Sequence, residues 1–389
     1  MRVVVVSAWE PWRRDDGAAF VLDHQLRRLS RRHEITLLSA GAPSVTSATN
    51  LTSMADLPGV SIEWFGSGTT PMLDYVSRRV WSVRHREPAH VGYVERPGLV
   101  AALRTAAADA DVVHLHGWGT AGLWRAVGEV PTVHVAIDPW TVNADNRRLG
   151  LGRQLLELEQ RGLIASHERR HYPKLGAVVV VTDPDARSVR ALAPRARVEV
   201  VPNGVDAGAD PANYPTAPVL GFHGVYDSRA NVDAARHLVR DLLPRVRRKV
   251  PRAEVVLVGR RPPEAVRALV GEGVSLRADV ADVRAELFRM AVHVDWMTSG
   301  AGIKNKVLEA MAAARPVVAT SLAAAGIGDG PGLIVVDDVE QATEAIVGLL
   351  SNPTAAAETG RAGRARVIED FSWEANADRI EALWSELAG

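Results

Sequence analysis

The sequence predicts an α/β protein made of two Rossmann-like doubly wound parallel-sheet domains facing each other across a cleft. Three observations carry this. The chain has 389 residues, more than one hydrophobic core usually serves. Short β-branched runs alternate with longer helical patterns throughout, the form taken by a parallel sheet covered on both faces. The alternation also restarts once, after Val201-Pro202-Asn203-Gly204-Val205-Asp206 and a segment at 207–218 with prolines at 202, 211, 215 and 218, which reads as an interdomain connection.

In the first half the strands fall at 3–6, 35–38, 112–115, 132–137, 178–181 and 198–201, with helices at 18–30, 120–127, 153–172 and 185–192. In the second half strands fall at 219–222, 254–258, 274–276, 292–295, 316–319 and 333–336. Helices there fall at 232–249, 263–270, 283–290, 304–314 and 339–350. These runs set a first domain at 1–202 and a second at 203–370. Residues 42–90 break the rhythm with Ser, Thr, Gly and Pro clusters and one weak strand near 61–65, and are expected to be long loops and short helices. The tail 371–389 has apolar positions at Ile380, Leu383, Trp384 and Leu387, an amphipathic helix expected to dock back on the first domain. Open α/β sheets bind ligands beyond the carboxyl ends of their strands, so function is expected in the cleft between the two sheets.

Composition narrows the chemistry. With 47% hydrophobic and 24% charged residues the chain is globular rather than disordered or coiled-coil. Lys+Arg and Asp+Glu are equal at 46 each, which removes the general positive field of sequence-tolerant nucleic-acid binding. There is no cysteine, so disulfides, thiolate metal sites and thiol nucleophiles are all excluded. The run Val3 to Val6 is too short for a signal peptide core and no stretch nears the ~20 apolar residues of a membrane helix, so the protein is expected in the cytoplasm. Lysine occurs only at 174, 249, 304 and 306, which singles out the last two.

Those two lie in the strongest local signal, Ser299-Gly300-Ala301-Gly302-Ile303-Lys304-Asn305-Lys306-Val307-Leu308-Glu309-Ala310-Met311-Ala312. A glycine-containing turn follows a strand and opens a helix, so free backbone N–H groups and the positive helix end form an anion site suited to a diphosphate. Lys306 adds a point charge to the phosphates, and Glu309 offers two oxygens to the vicinal hydroxyls of a ribose. The alternative is a helix start whose Lys and Glu are only solvated.

The stretch from Gly302 to Ala312, followed by Arg315-Pro316-Val317-Val318-Ala319-Thr320, closely resembles the donor-site segment of the family-four retaining glycosyltransferases of the GT-B fold. The resemblance extends to Val201-Pro202-Asn203-Gly204-Val205-Asp206 as the hinge motif, to residues 221–231 with Val232-Asp233-Ala234 and then Val256-Leu257-Val258-Gly259 as the first strands of the second domain, and to Phe371-Ser372-Trp373 at the closing helix. It covers essentially the whole chain, the second half better than the first. It implies transfer of a sugar from a nucleoside-diphosphate-sugar cosubstrate to a small-molecule or glycan acceptor, with retained configuration, no metal, no other cofactor and no enzyme nucleophile. The first domain would then bind the acceptor and the second the donor. Donor-binding residues carried over are Gly17, Arg229, Gly302, Ile303, Lys304, Lys306 and Glu309, with Arg229 standing where the family has a basic residue after the first strand of the second domain.

Departures are equally specific. The family commonly has two glutamates separated by seven residues, and the first of them falls on Ala301. The arginine that usually follows the glycine of the first strand of the second domain is Val225, and the N-terminal glycine-rich loop is reduced to Asp15-Asp16-Gly17-Ala18-Ala19. Ala301 keeps open a pseudo-glycosyltransferase or epimerase acting on a nucleotide sugar, or an inactive nucleotide-sugar-binding subunit. A nicotinamide dehydrogenase is disfavoured, since no Gly-x-Gly-x-x-Gly follows Val3 to Val6.

In the first domain, Pro131-Thr132-Val133-His134-Val135-Ala136-Ile137-Asp138 resembles the strand that ends in the family's active-site histidine and acidic residue. Aligned on Asp138, that histidine falls on Ile137. Strand alternation would place His134, Ala136 and Asp138 on one face, which makes Asp138 and His134 catalytic candidates, the latter against a core histidine. His116, at the end of Val113-His114-Leu115-His116, is a third candidate. Asp109 with Asp111 precedes a buried strand, and Asp183 with Asp185 looks like a helix start, so neither pair is expected to hold metal. Trp9, Trp12, Trp118 and Trp140 follow three strands at their carboxyl edge and are expected to form an aromatic acceptor pocket. The basic patches Arg27-Arg28, Arg31-Arg32 and Arg78-Arg79 with Arg84-His85-Arg86 read as solvated helix faces rather than a peripheral membrane contact.

Overall fold

A computed structural model describes residues 1–10, 17–41, 57–66, 71–141, 154–209, 213–300 and 302–389; the side chains of 71–76 and 154–159 are also outside the description. Trp12, Asp15, Asp16 and Ala301 therefore lie outside the described residues. The chain divides into two units, Met1–Val201 with Asn376–Gly389, and Pro202–Ala375.

The first unit is built on a seven-stranded sheet with the order β3-β2-β1-β4-β5-β6-β7. Its strands are β1 (Arg2–Ser7), β2 (Glu34–Ser39), β3 (Val60–Trp64), β4 (Val112–His116), β5 (Thr132–Ile137), β6 (Ala177–Val180) and β7 (Val198–Val200). All pairings are parallel. Val3 to Val6 are almost fully buried, as expected where both faces of a central strand are covered. Among the described residues the helices of eight residues or more are α1 (Gly17–Leu29), α2 (Pro71–His85), α3 (Pro97–Ala107), α4 (Gln154–His171) and α5 (Asp183–Leu192). Strand order reverses between β1 and β4, and Ser7 of β1 pairs with His116 of β4 at that switch point, the place where such sheets open a crevice.

The second unit has a six-stranded sheet with the order β10-β9-β8-β11-β12-β13, comprising β8 (Val219–Val225), β9 (Glu254–Arg260), β10 (Val274–Ala278), β11 (Val292–Asp295), β12 (Val317–Ala319) and β13 (Leu333–Val335). Its pairings are parallel too. It carries α6 (Arg229–His237), α7 (Asn305–Ala312), α8 (Val339–Ser351) and α9 (Pro353–Asp370). The final helix, α10 (Trp373–Ala388), has its residues from Asn376 onward in the first unit. There Gln25 donates to Asn376 at 2.9 Å, Arg32 meets Asp378 at 2.9 Å, and Trp384 is buried against His33 and His114.

Several expectations need correction. The region 42–90 contains a fifteen-residue helix, α2, and α3 and α9 arise where no helix was anticipated. The stretch at 120–127 forms a 3-10 turn, Ala121–Ala126, rather than an α-helix. The helix expected at 232–249 starts earlier, at Arg229, and is interrupted by a π turn at Leu238–Leu242. Finally, β5 shifts register between Val135 and Ile137, and Ile137 has φ 64°, a positive value that a β-branched residue rarely adopts. The alternation that would set Asp138 on the face of His134 is broken there.

Candidate functional sites, one in each unit

In the second unit the turn after β11 passes through Gly300 and Gly302, whose φ values of 122° and 68° favour glycine. It delivers the chain to α7, whose N-cap Lys304 makes no side-chain cap hydrogen bond. The Lys304 side chain, which has no acceptor atom, does not cap the first amides of α7, and the amides at a helix start can be donors to an anion. Lys304 instead folds back to donate to the Gly302 carbonyl at 2.7 Å. Asn203 of the Pro202-Asn203-Gly204 motif donates to Asn305, 3.2 Å away, tying that motif to the helix start.

Lys306 is turned inward. Its ammonium hydrogen-bonds Asn231, lies 3.3 Å from the Met297 sulfur and 4.7 Å from the Phe222 ring centroid, and sits 3.9 Å from Asp295. Asp295 is fully buried and neither carboxylate oxygen has a hydrogen-bond partner. Burial raises its pKa, against the pull of Lys306, His223 and Lys304; burial likewise lowers that of Lys306, against Asp295 and Glu309. The nearest carboxylate to the Lys306 ammonium is thus a buried one with no hydrogen bond of its own. Arg229, by contrast, is 91% exposed at the start of α6, 3.6 Å from Asp233. Ile303 is half-buried against the core of this unit.

Glu309, one turn into α7, accepts a hydrogen bond from Nε2 of His223 on β8 at 2.7 Å. Burial pushes the carboxyl pKa up, but the hydrogen bond from His223 and the charge of Lys306 bring it below its ordinary value. Behind His223, its Nδ1 lies 3.0 Å from Nε2 of His293 on β11. His293 is fully buried and held well below the usual histidine range, chiefly by desolvation, with the Lys306 ammonium adding to it. Neither histidine was singled out from sequence.

In the first unit three of the four candidate acceptor tryptophans are described, and they lie together. Trp118 and Trp140 are parallel with centroids 6.2 Å apart, Trp9 meets Trp118 edge-on at 5.8 Å, and His90 lies 5.8 Å from both Trp9 and Trp140. Trp118 donates its indole N–H to the Asp138 carbonyl at 2.9 Å, and the Trp140 amide donates to Glu168 at 2.8 Å. Glu168 also accepts from the Tyr172 hydroxyl, yet burial drives its pKa up to about 7.

The histidine candidates occupy the interior. His116 is fully buried, with Nε2 donating to the Ala18 carbonyl at 2.9 Å and Nδ1 facing His114 at 3.2 Å. His134 lies 3.2 Å from the Leu115 carbonyl. Desolvation lowers His116 to about 4 and His134 to about 3, so both are neutral imidazoles that fasten backbone segments. Asp138 is half-buried. At Gly17 a side chain would meet nothing within 4 Å, so space does not demand a glycine there. Asp109 and Asp111 flank Arg2, and Asp185 takes the Thr182 hydroxyl in a helix cap.

One cluster escaped the sequence reading. Glu87, His167 and His171 are buried with one ligand atom from each within 4.8 Å of the others; the i,i+4 spacing of the histidines on α4 was its only trace. The Trp124 indole donates to Nδ1 of His171 at 3.1 Å, which leaves the ring proton on Nε2, where a metal would have to bind. Glu87 already takes Arg170 at 2.6 Å and His167 at 2.8 Å. As arranged, the Glu87 carboxylate is engaged by two donors, while Nε2 of each histidine has no hydrogen-bond partner.

Two doubly wound parallel sheets are the architecture of the GT-B glycosyltransferases. The comparisons agree. The Glycosyltransferase Family 4 model matches residues 15–209 and the Glycosyl transferases group 1 model residues 217–352, and the chain belongs to this glycosyltransferase family. It is 29% identical over 361 residues to an alpha-maltose-1-phosphate synthase of Mycolicibacterium smegmatis, covering 77% of this chain and 89% of that protein. Among solved structures it is similar to Anabaena HepE in complex with UDP (TM-score 0.66, 14% identity, 99% and 100% of the two chains). It is also similar to a sucrose-phosphate synthase of Thermosynechococcus elongatus (TM-score 0.67, 16% identity, 100% and 99%). Among the described residues no helix is long and apolar enough to cross a membrane.

Proposed function

We propose that this glycosyltransferase moves a sugar from a nucleoside-diphosphate sugar to an acceptor, retaining the anomeric configuration and using no metal or other cofactor. The observation that carries the reading is the start of α7: a two-glycine turn, helix amides not capped by the Lys304 side chain, and Glu309 one turn further on, half exposed and held below its ordinary pKa. The amides receive the diphosphate and Glu309 a ribose hydroxyl. Arg229 is the exposed cation available to the leaving group, while Lys306 lies against the buried Asp295. The acceptor belongs to the first unit, against Trp9, Trp118 and Trp140, with Asp138 the preferred polar group beside them. In the transfer the bond from the anomeric carbon to the phosphate oxygen breaks, the acceptor oxygen bonds to that carbon on the same face, and the acceptor proton passes to the departing phosphate oxygen.

Incubation with a panel of nucleotide sugars and candidate acceptors tests this. Release of nucleoside diphosphate with a product whose anomeric coupling in proton NMR matches the donor supports it. Inversion removes the retaining mechanism, and nucleotide binding without turnover of any donor would mark a binding subunit.

A further inference from the structure

We propose that His223 is a positioning residue for the nucleotide: it holds one oxygen of Glu309 so that the other is presented to the ribose, and His293 fixes the tautomer in which His223 does so. The inference rests on the reading that Glu309 receives the ribose.

The geometry is a chain of three groups from three elements. Glu309 of α7 keeps 45% of its side chain exposed, whereas His223 of β8 keeps 6%; the carboxylate reaches the surface and the imidazole stands behind it. Because Glu309 is ionised, the proton in the 2.7 Å contact belongs to His223 Nε2, which donates. Nδ1 of His223 then has to accept if the ring is neutral, and Nε2 of His293 lies 3.0 Å from it.

His293 is neutral and fully buried, and its own Nδ1 has no partner. A buried bare lone pair is tolerated better than a buried N–H without an acceptor. The single proton of His293 therefore sits on Nε2 and points at His223, and the whole chain donates outward toward Glu309. Asp295 and Lys306 complete the surroundings, 3.9 Å apart.

The consequence is chemical. Glu309 was expected to offer two oxygens to two vicinal hydroxyls, but Oε2 is engaged by His223, so the carboxylate cannot swing and the ribose is met mainly by Oε1. Ordering a flexible acid side chain before the ligand arrives removes an entropy cost from binding. His223 then acts on ligand only through Glu309, and removing it should matter only while Glu309 is present.

UDP binding by calorimetry on the full chain tests this with the variants His223→Phe, Glu309→Ala and both together, and with His223→Gln, which keeps an N–H donor. Expected is about a tenfold weaker affinity for His223→Phe, no further loss beyond about twofold when it is added to Glu309→Ala, and recovery in His223→Gln to within about threefold of the parent. Equal losses from His223→Phe with and without Glu309 overturn the inference, since the histidine then supports the fold. If Glu309→Ala weakens UDP while His223→Phe does not, the inference falls and the nucleotide site stands. If Glu309→Ala has no effect on UDP, the nucleotide site itself is misplaced. Should His223→Phe not fold, His223→Gln and His293→Leu decide: near-parental UDP affinity is required of the first, and a loss confined to proteins that carry Glu309 of the second.

Discussion

Lys306 holds its ammonium 3.9 Å from the carboxylate of Asp295, whose side chain is fully buried and has no hydrogen-bond partner. Each charge opposes the desolvation that raises the pKa of Asp295 and lowers that of Lys306. Lys306→Met should therefore strand a buried acid and cost about 3–5 kcal/mol of stability, whereas Asp295→Asn with Lys306→Met should recover most of the loss. Urea unfolding of the single and double variants measures this. A single variant as stable as the parent would mean that Lys306 serves ligand alone.

Buried histidines set the response to acid. Desolvation holds His90 and His116 at about 4 and His134 at about 3, against 6.5 for the ordinary group. The unfolded chain thus binds more protons below pH 6.5, and the stability these groups contribute is present above that pH and lost progressively as it falls toward 4. By pH 5 the loss is on the order of 1–2 kcal/mol for each. Glu168 opposes it, because an acid raised to about 7 favours folding as pH falls from 7 toward 4.5. Unfolding midpoints at pH 7.5 and 5 should drop on acidification, and Glu168→Gln should steepen the drop. A flat profile would contradict neutral imidazoles in the core.

The acceptor side turns on Trp140, parallel to Trp118 and anchored through its amide to Glu168. Trp140→Ala should raise acceptor KM or lower kcat by the loss of one stacking partner, on the order of 1 kcal/mol or more. Donor hydrolysis without acceptor, and UDP binding, should scarcely change. Equal losses in both would place Trp140 in the framework instead.

Metal independence has a concrete rival in Glu87, His167 and His171. The Trp124 hydrogen bond to His171 and the Arg170 contact with Glu87 argue against an ion there, so activity should survive EDTA. Loss in EDTA, restored by one divalent metal and abolished in His167→Ala, would reverse that.

How far the sequence spoke follows from what each pattern depends on. Strands were legible because four consecutive valines at 3–6 can only be buried on both faces. The helix α9 was not, because its packed face is built from Ala356, Ala357, Gly360 and Gly363, and glycines read as breakers. They are there for close approach: a side-chain carbon on Gly360 would lie 2.1 Å from the Ala314 carbonyl oxygen, and one on Gly363 2.7 Å from Gly332. The turn at Gly302 and the position of Glu309 were legible from their own segment. The link of Glu309 to His223 was not, since it joins positions 86 residues apart whose pairing depends on where β8 lies beside β11. Likewise His134 and Asp138 were related by an alternation that one positive φ at Ile137 undoes.

The central claim is that the start of α7 and Glu309 form the nucleotide site. Calorimetry of UDP with the parent protein and Glu309→Ala tests it most directly. Removing one charge-assisted hydrogen-bond set, roughly 1.5–3 kcal/mol, should weaken binding about ten- to a hundredfold with the unfolding midpoint little changed. Undiminished UDP affinity in a folded Glu309→Ala protein would contradict the account.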